Sequence, residues 1–192
     1  MIAILNYNAG NTQSVKNAVE KLGYNCLVTD DEVQLRSAEK VIFPGVGEAA
    51  SAMAILYESG LDVVVRSLTQ PVLGICLGLQ LMCSHTEEGD TAGLGIFDAK
   101  VRRFPPDGIV PHTGWNTLQW DDNDLFRNIG RDENFYFVHS YYAAISAHTM
   151  AQCDYILTFS AALKKNNFYA VQFHPEKSGA AGEKLLKNFL EL

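Results

Sequence analysis

Gly74-Ile75-Cys76-Leu77-Gly78-Leu79-Gln80 constrains this chain more than any other stretch. It grows out of the apolar run Val72 to Ile75, which reads as a buried strand, and from Leu77 the apolar spacing becomes helical. A strand entering a helix through so tight a turn projects the middle side chain clear of the backbone. That is the geometry of a nucleophile elbow, here carrying sulfur where a serine oxygen is more usual. Gly74 and Gly78 serve a steric purpose, because a Cβ at either place would strike the neighbouring strand or helix. A cysteine behind a buried strand is also compatible with a small core hydrophobe. The other motifs have to separate the two readings.

The surrounding pattern predicts an α/β fold. Ile2 to Asn6, Tyr24 to Thr29, Lys40 to Phe43 and Val72 to Ile75 read as short buried strands. Thr12 to Leu22, Ala49 to Tyr57, Leu61 to Leu68 and Leu77 to Ser84 carry helical spacing. Strands alternating with helices imply a parallel sheet covered on both faces. Later runs read as strands, namely Asn116 to Trp120, Phe135 to Tyr142, Tyr155 to Leu163 and Asn167 to Phe173. A hairpin turn is expected at Lys164 to Asn167, and Gly182 to Leu192 closes the chain as an amphipathic helix. The expected architecture is one domain, residues 1–192, built on an open, mixed, mostly parallel sheet. Sheets of this kind place their sites at the carboxyl ends of the strands. Asn8 to Asn11, Pro44 to Gly47, Cys76 and His174 all fall there.

Charge and cysteine usage exclude several functions. The formal net charge is -7 with no long basic run, which argues against a nucleic acid or an anionic membrane as partner. No apolar run approaches the ~18 residues needed to cross a bilayer. Cys26, Cys76, Cys83 and Cys153 show no C-x-x-C spacing, so neither a zinc site nor a disulfide framework is expected. A cytoplasmic protein without metal or cofactor is the simpler reading.

Phe173-His174-Pro175-Glu176 supplies what Cys76 needs. A thiol requires an acceptor for its proton, and an imidazole can take that proton and later return it to a leaving group. A carboxylate on the far ring nitrogen fixes the tautomer and stabilises the imidazolium. Glu176 can fill that role if Pro175 keeps the chain extended, since residues two apart then share a side. Acyl transfer also needs oxyanion donors. The Leu77 N–H is one, and Val46 or Gly47 in the glycine loop offers another. Gln80, one helical turn past Cys76, can hold a substrate amide. Trp115 and Trp120 read as packing aromatics.

Together these segments resemble the triad, or class I, glutamine amidotransferase family. Pro44-Gly45-Val46-Gly47, Gly74 to Gln80 and Gln172-Phe173-His174-Pro175-Glu176 carry the likeness over nearly the whole chain. Three further segments are similar to the glutaminase subunits of imidazole glycerol phosphate synthases: Asn6 to Asn11 with Ser14-Val15, Val110 to Asn116, and Tyr136 to Tyr141. Thr113 departs from that pattern, which commonly has methionine there. The resemblance implies a flavodoxin-like fold and a Cys76-His174-Glu176 triad that hydrolyses glutamine through a γ-glutamyl thioester. It implies glutamine binding by Gln80, Glu88, Ser140 and Tyr141. It further implies a heterodimer with a (β/α)8-barrel cyclase, which takes up the ammonia and forms imidazole glycerol phosphate and aminoimidazole carboxamide ribotide in histidine biosynthesis. Asn8, Asn11, Tyr136 and Lys177 are similar in position to residues at that partner interface. Glu88 also reads as a solvated acid, and Lys177 as an ordinary surface lysine. Other activities compatible with these residues are an ammonia supplier for sugar or glycan amination, a cysteine peptidase or amidase, and a non-catalytic scaffold.

Overall fold

The computed structural model describes residues 1–8 and 10–192. Ala9, inside the expected Asn8 to Asn11 loop, lies outside the described residues. The first half runs β1 (Ile2–Leu5), α1 (Thr12–Lys21), β2 (Cys26–Thr29), α2 (Glu32–Ser37), β3 (Lys40–Gly45), α3 (Ala49–Ser59), α4 (Leu61–Ser67), β4 (Val72–Cys76) and α5 (Leu77–Met82). Shorter strands follow: β5 (Cys83–Thr86), β6 (Thr91–Ala92), β7 (Phe97–Arg103), β8 (His112–Asn116), β9 (Gln119–Trp120), β10 (Phe135–His139) and β11 (Tyr141–Ala143). The chain finishes with β12 (Thr149–Tyr155), β13 (Leu157–Lys165), β14 (Phe168–Val171) and α6 (Gly179–Leu190).

The main sheet has the order β2-β1-β3-β4-β14-β13-β11-β7-β5-β6. From β2 to β14 every pairing is parallel. Beyond β14 the sheet turns largely antiparallel through β13, β11 and β7. The mixed open sheet matches the sequence expectation, with its parallel block centred on β3, β4 and β14.

Strand alternation explains why both faces are covered. Ile2 and Ile4 enter one core with Val15 and Val19 of α1 and Leu185 and Phe189 of α6. Ala3 and Leu5, pointing the opposite way, enter a second core with Leu35, Met53, Leu56 and Val65 of α2, α3 and α4. Each large side chain taken fully from water contributes roughly 1.5–3 kcal/mol, so the sheet is held from two sides. No helix among the described residues is long and apolar enough to cross a membrane.

Several boundaries differ from the expectation. The helix behind Cys76 stops at Met82 instead of reaching Ser84, because Cys83 to Thr86 leave it to pair with β7. The run Phe135 to Tyr142 breaks at Ser140 into β10, which pairs with β8, and β11, which joins the main sheet. Asn116 to Trp120 is likewise split between β8 and β9. The Lys164 to Asn167 hairpin is present, with Lys165 opposite Phe168.

Candidate active site

Cys76 ends β4 and caps α5 with φ 54° and ψ -106°. A non-glycine residue there costs on the order of 1–3 kcal/mol, and such strain gathers at functional positions. The turn is possible because Gly78 lacks a side chain: a Cβ would run into the Phe43 carbonyl oxygen. At Gly74 a Cβ would lie 2.7 Å from Met82 Sδ. The steric purpose read from the two glycines is therefore met by β3 and by α5 itself.

Register brings the other motifs to Cys76. Gly45 on β3 lies opposite Cys76, so the Pro44 to Gly47 loop leaves the sheet beside the sulfur. On the other flank Val171 of β14 lies opposite Ile75, and the chain continues past the sheet edge into Gln172 and His174. Tyr7 steadies the glycine loop, its buried hydroxyl donating to the Pro44 carbonyl at 2.9 Å. Gly47 has φ 116°, a conformation that side chains rarely adopt.

His174 Nδ1 sits 2.9 Å from Glu176 Oε1, and both side chains are almost wholly buried. The connection is not the extended one expected. Pro175 to Lys177 form a 3-10 turn that folds the carboxylate back toward the ring. The turn is clamped at the His174 carbonyl, which accepts from the Lys177 N–H at 3.0 Å and the Ser178 hydroxyl at 2.6 Å. The His174 N–H donates to the Tyr136 carbonyl at 2.9 Å. Hydrogen bonding to a carboxylate makes Nδ1 the protonated nitrogen, leaving Nε2 as an acceptor. Nε2 is buried without a hydrogen-bond partner among the described residues. Burial opposes a charged ring, yet the nearby Cys76 sulfur and the Glu176 carboxylate outweigh it and raise the His174 pKa.

A cavity of about 350 Å³ joins these groups. Its lining includes Val46, Gly47, Cys76, Leu77 and His174 together with Gln80, Glu88, Ser140 and Tyr141. Gln80 is turned inward. Its Nε2 donates to the Tyr141 carbonyl at 3.0 Å and to Gln172 Oε1 at 3.1 Å. Only its oxygen is then left for a ligand. Glu88 Oε2 accepts from the Ala49 N–H at 2.9 Å, where α3 begins. Burial, and secondarily the charge of Glu48, raises its pKa against that hydrogen bond. Glu88 is half-buried and lines the cavity.

Asn11 and Lys177 lie behind the triad. Asn11 Nδ2 is 3.5 Å from Glu176 Oε1, and Lys177 projects outward. Asn8, with φ 59°, precedes the same loop. Tyr136 meets Trp115 edge-on, with ring centroids 5.7 Å apart. Trp115 is 56% exposed, so its expected packing role is corrected. The ribbon of β8 and β10 turns that ring away from the core. Trp120 does pack, stacked on Phe126. Among the buried polar residues that received no role from the sequence are His112, His139 and Gln172. All three occupy motifs already singled out, and Gln172 lies two residues before His174. No periodicity marks any of them as facing a site.

The chain matches the family model described as glutamine amidotransferase class-I over residues 3–192. It is 57% identical to the imidazole glycerol phosphate synthase subunit HisH of Bacteroides fragilis, covering 100% of this chain and 99% of the relative. The HisH subunit of Pasteurella multocida is 48% identical over 99% of this chain and 97% of that protein. Among solved structures, a crystal structure of a glutamine amidotransferase superposes with a TM-score of 0.78 at 20% identity, covering 99% and 97% of the two chains. PurLQS from Thermotoga maritima superposes with a TM-score of 0.73 at 17% identity, again over 99% and 97%.

Proposed function

The chain belongs to the class-I glutamine amidotransferases, and within them to the HisH subunits of imidazole glycerol phosphate synthase; from that premise we propose that residues 1–192 form one glutaminase domain working through Cys76, His174 and Glu176. The observation that carries this reading is the Glu176-bound His174 ring, whose free Nε2 shares a cavity with the strained Cys76.

Glutamine enters with its side-chain carboxamide over Cys76. The thiol proton passes to His174 Nε2 while Glu176 holds the Nδ1 proton. Sulfur attacks the carbonyl carbon, and the oxyanion is met by the Leu77 N–H and by an N–H of Val46 or Gly47. The C–N bond then breaks, nitrogen takes the proton from Nε2, and ammonia leaves a γ-glutamyl thioester. Water, deprotonated by the same nitrogen, attacks the thioester, releasing glutamate and the thiolate, and the thiolate recovers the proton from Nε2. Glu88 receives the substrate ammonium. Gln80 accepts from a substrate N–H with Oε1, since its donors are committed. Ser140 and Tyr141 meet the carboxylate with N–H groups, because their carbonyls accept from Phe104 N–H and from Gln80 respectively.

Ammonia passes to a cyclase subunit of (β/α)8-barrel form, in a cytoplasmic heterodimer serving histidine biosynthesis. The subunit names of the relatives support a partner. Trp115 and Lys177 are exposed, and with Asn8, Asn11 and Tyr136 they suit its docking.

The test is Cys76→Ala in the complex with the cyclase. Glutamine-dependent product formation should disappear while reaction with free ammonia continues. Retention of glutamine-dependent turnover would end the proposal. The chain alone should hydrolyse glutamine slowly, and the cyclase with its own ligand should accelerate it.

A further inference from the structure

We propose that Gln172 is a further catalytic residue, whose side-chain N–H holds the Cys76 sulfur in an orientation set by the Tyr141 carbonyl through Gln80. This rests on Cys76 being the nucleophile. Gln172 is fully buried, and its Nε2 lies 3.7 Å from Cys76 Sγ.

The polarity of the relay follows from groups that have no choice. The Tyr141 carbonyl can only accept, so Gln80, 3.0 Å away, must turn its NH2 toward it. That NH2 can only donate, so Gln172, 3.1 Å away, must offer Oε1. The amide nitrogen of Gln172 is thereby left facing the sulfur. A flipped Gln172 would set its own NH2 against the NH2 of Gln80, two donors with no acceptor between them.

The same carbonyl is anchored from its other side. His139 Nδ1 lies 2.7 Å from it and must carry a proton, leaving His139 Nε2 as an acceptor in the neutral ring. His112 Nδ1, 3.0 Å away, donates to that nitrogen. The two rings face each other across β8 and β10, where His112 pairs with His139. His112 is held between Phe137 and Tyr155, at centroid distances of 4.7 and 3.9 Å. The rings therefore fix a carbonyl, the carbonyl fixes Gln80, and Gln80 fixes Gln172.

At the sulfur the competing contact is the Val138 carbonyl, 4.0 Å from Sγ, which can only receive a thiol proton. The Gln172 N–H favours the other protonation state. It donates to the thiolate before attack and again when the thioester collapses. It reaches Gln80 only at the amide nitrogen and not at the Oε1 assigned to glutamine, so its loss falls chiefly on the chemical step.

The experiment compares Gln172→Met and Gln172→Glu with the parent chain in the cyclase complex, measuring kcat, KM and the rate at which iodoacetamide labels Cys76 at neutral pH. Loss of one hydrogen bond to a charged group should slow labelling and kcat about tenfold in the methionine variant. KM should stay within about twofold of the parent. The glutamate variant should fall further, through repulsion of the thiolate. Cys83 and Cys153, both buried, remain unlabelled only in folded protein and report the fold peptide by peptide. Should either become labelled in both variants, Gln80→Leu replaces them. It leaves Gln172 in place without the donor that orients it and should slow Cys76 labelling severalfold. Unchanged labelling in any folded variant overturns the proposal, as does a rise in KM at constant kcat in either variant of Gln172. Glutamine hydrolysis surviving in Cys76→Ala would instead overturn the assignment of the nucleophile.

Discussion

Asn11 and Glu176, 165 positions apart in sequence, meet where α1 begins: Asn11 Nδ2 lies 3.5 Å from the Oε1 that also accepts from His174. The carboxylate therefore connects the histidine to the loop proposed as the partner edge.

Asn11→Ala removes the second donor to Oε1. Glutaminase kcat in the cyclase complex should fall severalfold with little change in KM, because no glutamine contact is lost. Steady-state kinetics on the complex check this. An effect on KM alone would place Asn11 in substrate binding.

Glu176→Gln keeps the shape of the side chain but lets its amide present a donor to His174 Nδ1. The ring then tends to the wrong tautomer, with Nε2 protonated and unable to take the thiol proton. Loss of one general acid–base function corresponds to about 10²–10⁴-fold in kcat. Glutamate release measured over a pH series tests it, and ammonia-dependent turnover in the complex controls for folding.

Gly78→Ala directs a methyl group at the Phe43 carbonyl, which belongs to the backbone of β3 and has little room to retreat. Overpacking of this kind costs about 1–3 kcal/mol. Urea unfolding should show that loss, and kcat should drop with it, because α5 carries the Leu77 N–H.

The elbow and its acid–base partners were legible because each is contiguous in sequence: glycine-cysteine-glycine in one motif, histidine-proline-glutamate in another. The parallel half was legible for a related reason, since Ile2 to Asn6 and Val72 to Ile75 are short apolar runs closed by glycine or polar turns. Legibility failed where a residue's partner is set by tertiary register. The break at Ser140 depends on β10 and β11 joining different sheets. Glu176 reaches His174 through a 3-10 turn held by Ser178, and proline spacing alone favoured the extended form. His139 resembles any strand histidine until β8 brings His112 opposite it.

Three histidines give stability an optimum near neutral pH. Burial pushes His139 down to about 3 and His112 down to about 4, whereas an unfolded histidine titrates near 6.5. Below about 6.5 the unfolded chain binds protons that the folded chain refuses, so stability falls as pH falls. The decline reaches up to about 1.4 kcal/mol per pH unit for a fully protected ring and ends once the folded rings titrate. His174 works in the opposite direction. Its folded pKa is raised, so its contribution is complete below the unfolded value and is lost as pH climbs through the folded one. Urea unfolding across the range from mildly acidic to alkaline should therefore trace a dome. Carboxylates also shape the acid limb, so the comparison is with variants: His139→Gln should flatten that limb and His174→Gln the alkaline one. An acid limb equally steep in His139→Gln would show that the buried ring is not the group resisting protonation.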